Sequence, residues 1–274
     1  MDDDAAVSRR LDAWALRTGD WVGQTLEALL PRSCACCGVG IRGLCPVCSA
    51  LFHRFTARPC DAAAWAPRWP DALPCAAAGA YRHEAARLLL AWKNGGRTDA
   101  QPVLARALAR ALAATLAEAL ADAQGTREVL IVPVPSSAAA FRRRGFVPAQ
   151  ALARGALAEL RRGGGPDGVR LRLVPCLRRR GRPPGKLAWG AARGGQKGLG
   201  AGQRRARVHH SMVAAVSPPW SWCGFSVRLD GARCVLVDDV LTTGASLEEA
   251  RRAILEAGGV VLGAAVVAAV RLPD

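Results

Sequence analysis

Val235-Leu-Val-Asp-Asp-Val-Leu-Thr-Thr-Gly-Ala-Ser246 decides how this chain is read. Its apolar start continues a run from Arg233 to Val237, the pattern of a strand covered on both faces. Asp238 and Asp239 emerge at the carboxyl end of that strand, where open α/β sheets hold their ligands. Thr242, Thr243, Gly244, Ala245 and Ser246 form a turn of small residues leading into a helix over 246–256. Free N–H groups at a helix start make a seat for a phosphate dianion. The hydroxyls of Thr242, Thr243 and Ser246 add donors, and Gly244 lets the backbone come close. Two carboxylates beside a phosphate seat make electrostatic sense only if they face something else. Ribose hydroxyls and a Mg²⁺ ion are the natural candidates. The plainer alternative is an ordinary strand–turn–helix junction, with Ser and Thr capping the helix and the acids on its surface.

Upstream, Val129 to Pro135 is an apolar run ending in a rigid Pro-Val-Pro loop, and Val260 to Val270 is another apolar run. Between such runs lie helical patterns. Tyr81 to Lys93 stops at Asn94-Gly95-Gly96, and a second helix spans Pro102 to Ala123. There Leu104, Leu108, Leu112, Leu116 and Leu120 line one face. A third covers Phe146 to Leu160. Strands alternating with helices predict an α/β domain over 76–274, a parallel sheet with helices on both faces. Residues 161–207 are Gly-, Pro- and Arg-rich with little periodicity, which predicts a long mobile loop. A Pro-, Trp- and Ala-rich connector through Pro74 precedes the domain, and residues 1–31 carry an N-terminal helical segment with apolar spacing from Leu11 to Leu30.

Between these lies a cysteine module, residues 32–60. Cys34-Ala-Cys36-Cys37-Gly38 and Cys45-Pro-Val-Cys48 supply two Cys-x-x-Cys units seven residues apart. Each unit wraps two thiolates around one ion, and four sulfurs in tetrahedral array select Zn²⁺. Cys34, Cys37, Cys45 and Cys48 are the expected ligands, with Cys36 an extra member able to replace a neighbour. Two disulfides or an iron–sulfur cluster are the alternatives. Cys60, Cys75, Cys176, Cys223 and Cys234 lack pairing spacing and read as core or incidental thiols.

Charge is concentrated. Of 38 Lys and Arg and 22 Asp and Glu in 274 residues, the stretch from Arg142 to Arg207 holds 18 bases and two acids. That stretch alone carries the net +16. It attracts polyanions, or it is a solvated basic loop in an Arg-rich chain. Trp189, Phe141 and Phe146 lie among these arginines and either stack on bases or pack in the core. His83 reads as a surface residue before it reads as a ligand, and the adjacent His209 and His210 rarely converge on one metal without further ligands. No stretch is long and apolar enough for a membrane span, and Met1-Asp-Asp-Asp lacks the features of a leader. A cytoplasmic location is therefore expected.

The Val235–Ser246 stretch resembles the phosphoribosyl pyrophosphate motif of type I phosphoribosyltransferases, and the likeness extends to the ComF family. Val132-Pro-Val-Pro135 followed by Arg143-Arg-Gly-Phe146 looks like that family's Pro-Val-Pro and Arg-Gly-Phe loop. Tyr81 with Lys93 and Gly96 resembles its Tyr…Lys-x-x-Gly segment. Gln196-Lys-Gly-Leu199 with Arg204 and Arg205 resembles its flexible-loop element. The resemblance implies a type I phosphoribosyltransferase-like parallel sheet flanked by helices, preceded by a small zinc-ribbon-like module. It implies that Asp238 and Asp239 are the catalytic pair, holding ribose hydroxyls and Mg²⁺. Thr242, Thr243, Gly244, Ala245 and Ser246 would hold the 5′-phosphate, with Arg144 and Gly145 near the pyrophosphate. The implied reaction transfers the phosphoribosyl group of phosphoribosyl pyrophosphate to a nucleobase-like acceptor. The family's association with natural transformation implies an alternative, a catalytically degenerate protein that handles single-stranded DNA. It would bind through the basic segment 142–207, with a DNA-uptake helicase as partner. The chain departs from the family at Val147-Pro148, after Arg-Gly-Phe. It departs again at Arg193, Gln203 and Arg207, where Thr, Glu and Asn are usual.

Overall fold

The computed structural model describes residues 33–40, 43–121, 125, 128–166, 168–180, 210–214 and 228–271. The expected N-terminal helical segment, Cys223, Trp189, His209 and the stretch from Arg193 to Arg207 lie outside them.

In chain order the strands are β1 (Cys60–Asp61), β2 (Cys75–Ala80), β3 (Glu128–Pro133), β4 (Arg170–Leu173), β5 (Leu177–Arg179), β6 (Met212–Ala214), β7 (Arg233–Leu241) and β8 (Val260–Ala269). The helices are α1 (Pro46–Phe55), α2 (His83–Gly95), α3 (Gln101–Leu120), α4 (Ala138–Arg144), α5 (Pro148–Arg162) and α6 (Ala245–Glu256). Six strands form one sheet of order β1-β2-β8-β7-β3-β4, and β5 pairs antiparallel with β6. All neighbours in the large sheet are parallel except the short edge pair of β1 with β2. The expected mixed α/β architecture, a mostly parallel sheet flanked by helices with a cysteine cluster ahead of it, is what the chain adopts.

Alternation along the strands sorts the core into two layers. Ile131, Val235, Val237 and Ala265 face α2, α3 and α5, while Val132, Leu236, Ala264 and Val266 face α6 and residues 62–69. The leucine stripe on α3 is buried as its spacing predicts, with Leu104, Leu108 and Leu112 fully enclosed. Beside it Thr115 Oγ1 donates to the Ala264 carbonyl at 2.8 Å and accepts the Ala76 N–H at 3.4 Å. One helical hydroxyl thus ties β2 to β8.

Some expectations need correction. Residues 161–207 are not one loop, because β4 and β5 fall inside them. As the sheet's outer edge, β4 tolerates Arg170 and Arg172, and so its four residues escape an apolar pattern. The arginine-rich stretch after Ser137 forms α4, ended by Gly145 in the left-handed conformation (φ 78°). Pro148, a departure from the resembled family, sits in the first turn of α5 where a missing N–H is harmless. The cysteine segment and Phe52 of α1 are continuous with the apolar layer of α2 and α3.

Candidate active site

Connections from β3 and β7 run to opposite sides of the sheet. β3 leads through α5 to β4, and β7 leads through α6 to β8. The carboxyl ends of β3 and β7 are therefore a topological switch point, the crevice where such sheets bind ligands. The ladders open it. β7 stays paired with β8 through Leu241, whereas its pairing with β3 ends at Val237, capped by the Val134 N–H. Asp238 and Asp239 thus lie within β7, supported on one side and unpaired on the other. Sequence reading placed the strand's end before them.

A cleft of about 170 Å³ occupies this opening. Lys93, Arg144, Arg179, Asp238, Asp239 and Ser246 line it, with Ser136 and Ser137. Asp239 is 8% exposed, and its Oδ1 lies 2.7 Å from the Lys93 ammonium. The Asp239 N–H donates to Asp238 Oδ1 at 2.8 Å. Desolvation, and then the Asp239 charge, push the Asp238 carboxyl well above its ordinary range. Arg144 brings a buried Nε with no hydrogen-bond partner. Arg179 is aimed by its Nε donating to the Pro135 carbonyl at 3.2 Å. The cleft therefore combines two acids with three cations. That balance suits a ligand with hydroxyls at one end and anionic groups at the other. A larger apolar groove of about 770 Å³ lies between the C-terminal halves of α3 and α5, beside the segments that precede β3 and β4. It has no acid pair and sits at the amino ends of the strands.

The turn after β7 is shaped by a second segment. Gly244 has φ 77° and precedes α6, whose first N–H groups face the turn. A side chain there would meet Ala66 Cβ and the Trp69 nitrogen, each at 3.1 Å. Residues 62–69, read from sequence as a mere connector, hence brace the turn.

Of the expected site residues, Asp238, Asp239, Ser246 and Arg144 line the cleft together. Thr242 and Thr243 are exposed on the turn. Gly145 lies at the end of α4, where its N–H donates to Phe141. Lys93 and Arg179 were not among the expected site residues. The signal for Lys93 was available in the Tyr…Lys-x-x-Gly segment. Arg179 follows from no local pattern.

In the cysteine segment, the Sγ atoms of Cys34, Cys37, Cys45 and Cys48 all lie within 4.8 Å of one another. A tetrahedral site with Zn–S near 2.3 Å needs sulfurs about 3.8 Å apart, and Cys37 and Cys45 stand at 3.7 Å. The N–H groups of Cys36 and Cys45 point at Cys34 Sγ, and that of Cys48 at Cys45 Sγ. Burial opposes ionisation of Cys34, but the backbone donors outweigh it and bring the thiol down to about 6. Cys36 stands apart. Its Sγ turns to the Glu84 carbonyl at 3.8 Å, and burial pushes its thiol up to about 11. The donor set fits a structural zinc ion held by four thiolates.

Residues 226–272 match the phosphoribosyl transferase domain family. The match covers the segment from β7 through β8, which includes the acids and the turn. The chain is also similar to the transcriptional regulator GfcR of Methanocella arvoryzae, 37% identical over 59 residues. That alignment covers 22% of this chain and 26% of the regulator, so the chain spans about a quarter of the relative's length. The mostly parallel sheet and its crevice agree with the match to a phosphoribosyl transferase domain over 226–272. No described helix is long and apolar enough to cross a membrane.

Proposed function

We propose that the cleft binds phosphoribosyl pyrophosphate and that the protein transfers its phosphoribosyl group to a nucleobase-like acceptor. The observation that carries this is the convergence of the Asp238–Asp239 pair, the Gly244 turn and three cations on the β3–β7 crevice. In this reading the first N–H groups of α6 and the hydroxyls of Thr242, Thr243 and Ser246 hold the 5′-phosphate. Asp238 and Asp239 accept the ribose hydroxyls. Arg144 and Arg179 face the pyrophosphate, and their positive charge stabilises it as the C1–O bond breaks. Asp238 and Asp239 would also hold Mg²⁺, which when bound neutralises charge on the leaving group. Zinc in the four-cysteine site holds the N-terminal module.

The test is thermal unfolding with and without phosphoribosyl pyrophosphate and Mg²⁺. A rise in Tm that Asp239→Asn abolishes supports the reading, and no rise at millimolar ligand overturns it.

A second reading rests on α4. Phe141 is 48% exposed there, next in sequence to exposed Arg142 and Arg143. An exposed aromatic ring next to cations suits single-stranded nucleic acid. The helicase partner stays an expectation of the family resemblance. Oligonucleotide affinity that falls steeply with salt, and drops further in Phe141→Ala, would favour this reading.

A further inference from the structure

We infer that Lys93 is a built-in counter-cation of the acidic pair, which keeps divalent metal off Asp239 until ligand arrives. The inference rests on the proposed phosphoribosyl pyrophosphate site. Lys93 reaches the cleft from the last turn of α2, and its ammonium lies 2.7 Å from Asp239 Oδ1, with 19% and 11% of the two side chains exposed. Such a pair is short, charge-assisted and shielded from water. A hard cation on the same oxygen would bind at about 2.1 Å. The two cations would then stand within about 5 Å of each other, and their repulsion would weaken metal binding.

The position of Lys93 is held from both sides. Trp92, its neighbour in sequence, is 2% exposed and packs against Phe146 with ring centroids 5.3 Å apart and the planes tilted by 58°. Two residues beyond α2, Arg97 is locked between Asp99 and the carbonyls of Ser33 and Gly43. An ammonium fixed in this way satisfies Asp239 when no ligand is bound. It also offers a donor to an incoming anion or hydroxyl without a rearrangement of the backbone. Lys93 is thus a specificity-determining residue. Before ligand binds, Lys93 rejects free metal, and the metal enters with a ligand that brings its own negative charge.

The experiment titrates Mn²⁺ into the ligand-free, zinc-saturated full chain and follows the free ion by electron paramagnetic resonance. Wild type and Lys93→Arg should take up Mn²⁺ weakly, in the millimolar range. Lys93→Met should bind one Mn²⁺ at least tenfold more tightly, and Lys93→Met with Asp239→Asn should lose that site. Lys93→Gln serves if the Met variant does not fold, as judged by circular dichroism. Equal Mn²⁺ affinity in wild type and the neutral variants overturns the inference, as does a tight site already present in wild type. These arms use no phosphoribosyl pyrophosphate. Failure of the function reading therefore shows as an absent ligand-induced Tm shift, while failure of the Lys93 role shows in the Mn²⁺ titration.

Discussion

The backbone N–H of Arg68 donates to the carbonyl of Thr243 at 3.3 Å. This bond joins the segment ahead of the sheet to the turn that follows β7. It explains why Gly244 has no room for a side chain, since Ala66 and Trp69 occupy the space beside it.

Gly244→Ala should therefore lower stability by about 1–3 kcal/mol, because it combines a left-handed φ with a backbone clash. The ligand-induced Tm shift should fall with it, since the turn must move to admit the methyl group. Gly40→Ala is the control, with open space around its Cβ position. Comparing the two by thermal unfolding separates a local clash from a general loss of glycine.

Glu249 and Arg252 of α6 pin β6 in place. Glu249 Oε1 accepts the Met212 N–H at 2.9 Å, Arg252 donates to the Met212 carbonyl at 2.8 Å, and the two side chains pair with each other. Burial works against the Glu249 charge, but Arg252 and the Met212 N–H prevail and hold the carboxyl below its ordinary 4.5. Because the folded value is depressed, the stabilisation is present above the unfolded value and disappears as pH falls through the folded one. Glu249→Gln should cost about 1–2 kcal/mol at pH 7, since Gln can still accept the Met212 N–H and Arg252 keeps its pair with Glu256. The gap to wild type should narrow below about pH 4.5. Urea unfolding across pH checks both the size and the sign.

Metal content should follow the geometry of the sulfurs and not their number. Cys45→Ser should purify with less zinc and a lower Tm, since it removes a thiolate that also accepts the Cys48 N–H. Cys36→Ser should retain one zinc per chain, because the Cys36 Sγ faces Glu84 and not the cluster. Elemental analysis of both variants decides, and equal loss would mean that Cys36 is a ligand.

Much of the site could be read along the chain because it is local there. Strand, acids, turn and helix follow one another from Val235 to Ser246, and two Cys-x-x-Cys units carry their own spacing. What escaped is what distant segments contribute. Lys93 meets Asp239, and residues 62–69 meet Gly244, only after the sheet has formed. β4 was hidden because a four-residue edge strand with arginines on one face has the composition of a loop. β7 runs past its acids because pairing with β8 continues after pairing with β3 has ended. No periodicity within a strand records where its neighbours stop.

Cys36 and α2 meet twice, once at Glu84 and once through Arg87, and Arg97 reaches back from beyond the helix to Ser33 and Gly43. Truncation that removes the cysteine segment would therefore do more than shed an appendage. It would release the helix that aims Lys93 at the acids, leaving a domain with every cleft residue in its sequence and one of them no longer held in register. Any shortened version of this protein, or any graft of a foreign module onto its sheet, has to preserve those ties.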